Sequence, residues 1–60
     1  MKVYVIEKSP VMINGSLNLN PQYKSTKYTY EDPYKALDKL HRLYKDFPDY
    51  YYMIKEVLKE

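Results

Sequence analysis

The residues that could do chemistry in this chain fall into two sets. The first is His41 with the carboxylates around it. An imidazole with Asp38 three positions before it, or Asp46 five after, could serve as a general base oriented by an acid. The chain has one histidine and no cysteine, whereas a zinc site needs three or four His, Cys or carboxylate ligands brought together. Glu31 and Asp32 are adjacent carboxylates, but they stand just ahead of Pro33, where negative charge complements the N-terminal end of a helix dipole. Gly15 is the only glycine, so neither a dinucleotide fingerprint nor a phosphate loop can be built. A histidine on the boundary of an apolar helix face, packed beside a tyrosine, is the plainer account of His41. The expectation is a protein that is not an enzyme and takes no metal and no cofactor.

The second set is the tyrosines and lysines. Nine Tyr stand against one Phe and no Trp. Tyr23, Lys24, Lys27, Tyr28 and Tyr30 interleave rings and ammonium groups with no acid among them. Such rings could stack on bases while the lysines meet phosphates, and Lys35, Lys39, Arg42 and Lys45 could extend the basic surface along a helix. Against a nucleic-acid reader stand Asp38 and Asp46, which dilute that stripe, and the single arginine, sparse for reading base edges. The same tyrosines support a different role. A chain this short cannot bury them all, and an exposed tyrosine offers a large rigid contact area with a polar tip, the reason it is enriched at protein interfaces. Tyr23, Tyr28, Tyr30, Tyr51 and Met53 are the interface candidates. The structural use of such residues is as aromatic cross-strand pairs.

The elements that would position these groups can be read from period and punctuation. Residues 2–7 are β-branched and alternating, with apolar groups on both faces, which suits a strand interior to a sheet. Asn14-Gly15 lies between two short apolar runs, the signature of a type I′ turn, since both central residues of that turn need positive φ. That hairpin would set Met12 opposite Leu17; a loop over 11–19 is the alternative. Residues 23–30 favour a strand through Tyr and Thr.

Asp32 is a good N-cap, and Pro33 suits the first helical position, where its missing N–H costs nothing. From there Ala36, Leu37, Leu40, Leu43, Tyr44 and Phe47 fill an arc of about 120°, the width of a core-facing stripe. Pro48 ends the helix, giving bounds of about 33–46. Residues 50–59 carry two signals. Their tyrosines and the preceding Pro-Asp turn favour a strand, while Tyr50, Tyr51, Ile54, Val57 and Leu58 also recur with a helical period. A last strand beside the first would complete a sheet for the helix to cover; a second helix is the alternative.

Length bounds what these elements can make. Sixty residues form one domain, which buries only about 60% of the surface its unfolded chain exposes. Apolar residues make up 45% and charged residues 30% of the chain, a balance that suits a folded domain rather than a disordered tail. The net charge of +2 permits an anionic partner without requiring one. The longest uncharged apolar run, Tyr50 to Ile54, falls well short of the roughly 20 residues that span a bilayer. No stretch reads as a signal peptide. The absence of cysteine agrees with a reducing compartment. The expected location is the cytoplasm, away from membranes.

The stretch Tyr28-Thr29-Tyr30-Glu31-Asp32-Pro33-Tyr34-Lys35-Ala36-Leu37, followed by Phe47-Pro48-Asp49-Tyr50-Tyr51-Tyr52-Met53-Ile54, resembles a pattern in small uncharacterised proteins of Gram-positive bacteria and their phages. In that pattern a strand leads into one helix, then a Pro-Asp-Tyr turn, then a tyrosine-rich last strand. The resemblance covers the second half of the chain. It implies a sheet with one helix and a phage or mobile-element origin, hence the host cytoplasm, and it brings no catalytic or binding residue.

Taken together, the sequence predicts a single α+β domain over residues 1–60. A three- to four-stranded, mainly antiparallel sheet would carry one helix on one face, in the order ββ(β)αβ. Leu37, Leu40, Leu43, Tyr44 and Phe47 would meet Val3, Val5 or Ile6 and Ile54. The expected function is a non-catalytic protein-interaction module, plausible as a modulator or inhibitor of a host protein, with a second copy of the chain as another partner. A small nucleic-acid-binding protein is the alternative.

Overall fold

The strand and helix signals resolve into β1 (Lys2–Pro10), the short hairpin strands β2 (Met12–Ile13) and β3 (Ser16–Leu17), β4 (Lys24–Tyr30), α1 (Pro33–Asp46) and β5 (Tyr50–Leu58). The computed structural model describes residues 1–59. β1 is the centre of a three-stranded antiparallel sheet in the order β4-β1-β5. It runs past the expected Glu7 to Pro10, and residues 50–58 pair with it as a strand rather than forming a second helix.

Asn14 and Gly15 take φ of 52° and 78°, and Met12 faces Leu17 across the hairpin, as the Asn-Gly turn predicts. The hairpin remains a separate two-stranded ladder, so the main sheet has three strands, not four. Asn18 fastens it to the end of β1: the side-chain amide donates to the Pro10 carbonyl at 2.8 Å and the Ser9 hydroxyl at 3.3 Å.

The helix begins where its cap dictates. The Asp32 carboxylate accepts from the Tyr34 N–H at 2.9 Å, satisfying one of the orphan donors of the first turn. Asp38 and Arg42, one helical turn apart, form an exposed ion pair at 3.4 Å. On the sheet, paired residues point to the same face. Ile6 packs with Leu43 and Tyr52 to form the core, with Tyr28, Tyr30, Leu40, Tyr50 and Ile54 around it. The face of Ile6 is therefore the face under α1. Val3 and Val5 have the opposite parity and lie on the other face, together with Tyr51, Met53 and Val57.

The core is thinner than the helical stripe suggested. Leu43 and Ala36 are buried and Leu40 is half-buried, but Leu37 and Phe47 stay 42% and 57% exposed. A helix on a three-stranded sheet contacts it along a narrow line, so the flanks of a 120° arc overhang.

Candidate functional site

Two surfaces follow from this architecture, one on each side of the sheet. The face away from α1 carries Val3, Val5 and Ser9 on β1 and Tyr51, Met53 and Val57 on β5. Among the described residues no helix covers it, and the molecule is only 15 Å deep along its shortest axis. Glu7, on this face, accepts from the Ser25 hydroxyl at 3.1 Å. The hairpin sits at the Ser9 end of the same face, held by Asn18. Its apolar side chains find no core: Met12, Ile13 and Leu17 are about half exposed, and Leu19 just beyond is 84% exposed.

The other surface is the seam between α1 and β4. A bulge shapes it. β4 pairs Thr29 with Val5 and Ser25 with Glu7, so three residues of β4, Thr26 to Tyr28, stand opposite Ile6 alone. The Thr26 hydroxyl mends the interrupted ladder, donating to the Ile6 carbonyl at 2.7 Å and accepting from the Tyr28 N–H at 3.2 Å. Tyr28, next to Thr29 in the ladder, lies opposite Ile6 and packs against the core. The Lys39 ammonium lies 4.3 Å, and the Lys27 ammonium 5.7 Å, from its ring centroid. Lys8 stands 4.5 Å from the ring centroid of Tyr50. Lys8, Lys27, Tyr28 and Tyr50 meet in a cleft of about 500 Å³ with Tyr52 and Phe47 in its wall. A second cleft of about 440 Å³ lies toward the start of the helix between Tyr30, Tyr34, Lys35, Asp38, Lys39 and Arg42.

The residues singled out from sequence thus divide. Of the interface candidates, Tyr51 and Met53 share the bare face. Tyr28 and Tyr30 pack around the core beneath the helix, because Tyr30 pairs with Tyr4, which shares the parity of Ile6, and Tyr28 stands two residues along the strand. Tyr23 precedes β4, partly exposed. Of the basic candidates, Lys27, Lys35, Lys39 and Arg42 line the seam. Lys24 lines a separate small cleft with Asn18 and Ile13, and Lys45 is exposed at the end of the helix. Lys8, which the sequence reading did not single out, belongs to the seam; its parity with Ile6 was the available signal. His41 is exposed on the helix, and Asp38 pairs with Arg42 instead of with it. Among the described residues no group of His, Cys, Asp or Glu is placed to hold a metal ion, and no helix is long and apolar enough to cross a membrane.

One site group has a shifted proton affinity. Burial raises the Tyr52 phenol above its ordinary value of 10.0, and the nearby Tyr50, Tyr44, Asp49 and Tyr28 push it the same way. Its hydroxyl donates to the Phe47 carbonyl at 2.9 Å, which ties the start of β5 to the end of α1. Comparison with known protein families, curated proteins and solved structures finds no match for this chain.

Proposed function

We propose that the protein is a non-catalytic interaction module that binds a larger protein through the bare sheet face and the hairpin tip. The observation that carries this reading is the set of exposed apolar side chains away from the helix: Met53 on β5, with Met12, Ile13, Leu17 and Leu19 in and beside the hairpin. Exposed apolar side chains gathered in one region of a small domain mark an interaction site. Tyr51 and Met53 lie on that face of the sheet, and aromatic and Met residues are enriched at protein interfaces. The resemblance of the second half to small phage and Gram-positive proteins supports a host protein as the partner and the host cytoplasm as the place of action.

Affinity capture with the tagged protein tests this. A stoichiometric protein partner is expected, and Tyr51→Ser and Met53→Ser, folded by circular dichroism, should each weaken capture at least tenfold. If both variants capture as well as the parent, or if the chain only pairs with itself in sedimentation at high concentration, the reading falls.

A further inference from the structure

The seam on the opposite side of the sheet has a chemistry that a protein-binding face does not need. Lys8 and Lys27 line one of its clefts and Lys35 and Lys39 the other, and among the described residues none of the four has a carboxylate within ion-pair distance. The acid in the seam, Asp38, is matched by Arg42 at 3.4 Å. The seam therefore carries a net positive charge. Three of those ammonium groups are not simply solvated: Lys39 and Lys27 lie over Tyr28, and Lys8 over Tyr50. Each ring face is held by a weak contact that an incoming planar group can replace, because an exposed ammonium–ring contact is worth less than base–aromatic stacking. The displaced ammonium stays tethered beside the ring, where a phosphate attached to that base would sit.

We propose that this seam binds a nucleotide unit, with the base stacked on Tyr50 and the phosphate met by Lys8 and Lys27, and with Tyr28 and Lys39 beside them. Tyr30 and Tyr34 continue the row of rings along the second cleft, beside Lys35, so the surface can follow more than one unit. The unit can arrive free or within a single strand. A duplex keeps its bases stacked on one another and cannot offer them to these rings. This inference is independent of the protein-binding reading, since Tyr51 and Met53 lie on the other face.

Amide chemical-shift mapping with adenosine and uridine monophosphates, inorganic phosphate, and an oligothymidylate of about twelve nucleotides tests the proposal. Shifts at Lys8, Lys27, Tyr28, Lys39 and Tyr50 are expected. Shifts with the mononucleotides identify a free nucleotide as the source; shifts with the oligonucleotide alone identify a single strand. For the oligonucleotide, four phosphate contacts give a slope of about −2.8 in log affinity against log salt, roughly a 50-fold loss between about 50 and 200 mM. Lys27→Ala should reduce that slope by about 0.7. Tyr50→Leu should weaken binding while leaving the slope unchanged, and Met53→Ser should alter affinity less than about twofold, additivity holding for distant sites. No shifts in the seam with any of these nucleotides at low salt overturns the proposal. So does heparin competing as well as the oligonucleotide with Tyr50→Leu unaffected, because charge alone would then account for binding. An acidic peptide shifting the same amides where nucleotides do not would also overturn it.

Discussion

The hydroxyl of Tyr44 takes the place of a neighbouring strand at Tyr52: it donates to the Tyr52 carbonyl at 3.1 Å and accepts from the Tyr52 N–H at 3.2 Å. The two rings meet edge to face with centroids 4.9 Å apart. β5 lies at the edge of the sheet, and an edge with unpaired backbone groups is a template for another chain. A helical side chain thus seals the middle of the aromatic half of that strand.

Removing that seal has two expected consequences. Tyr44→Phe keeps the ring contact and leaves the backbone of Tyr52 without its partner, costing about 1–2 kcal/mol. It should also promote self-association through β5. Urea denaturation measures the first and sedimentation at rising concentration the second; a variant as stable and as monomeric as the parent would show that water replaces the hydroxyl without cost.

The thin core makes the helix residues unequal. Leu43→Ala should cost on the order of 2–5 kcal/mol, enough to unfold much of so small a domain. Leu37→Ala, on the overhanging flank, should cost under about 1 kcal/mol. Thermal denaturation followed by circular dichroism separates them, and equal losses would contradict the packing line drawn through Leu43, Ile6 and Tyr52.

Thr26 tests the bulge. Thr26→Val removes both the donor to Ile6 and the acceptor for Tyr28 while keeping the shape. The loss should be about 1–3 kcal/mol, the cost of leaving partly buried groups unpaired. Faster hydrogen exchange at the Tyr28 amide should accompany it, and Thr26→Ser should retain most of both.

The raised Tyr52 phenol predicts the alkaline behaviour. In the unfolded chain it loses its proton near pH 10, while the folded chain holds it to higher pH. Above pH 10 the unfolded state therefore binds fewer protons, and stability falls as pH rises through the folded value. Lys2, raised by its contact with Glu56, pushes in the same direction and is unchanged in a Tyr52 variant. Tyr52→Phe should be less stable at neutral pH, having lost the hydrogen bond to Phe47, yet show a shallower decline above pH 10. Tyrosinate absorbance should lose the contribution of a phenol titrating above the ordinary range. An unchanged decline would place the alkaline sensitivity elsewhere.

The sequence by itself determined what depends on neighbours along the chain. Asp32-Pro33 set the start of the helix and Pro48 its end, because capping and proline sterics act within a few residues. Asn14-Gly15 set the hairpin, because positive φ is a local demand. The strand at 50–58 was legible only as one of two readings: its helical period was real, and the choice came from the free ladder of β1 beside it. What tertiary structure alone decided is which groups share a surface. The bulge at Thr26 to Tyr28 arises from pairing with β1, and nothing in the order of β4 announces it. Parity then divided the tyrosines, sending Tyr28 and Tyr30 under the helix and Tyr51 to the bare face. It also brought Lys8, distant in sequence, to Lys27. Spacing along a chain fixes period, but the register between strands fixes which face that period serves, and register is settled only when the strands and the helix pack together.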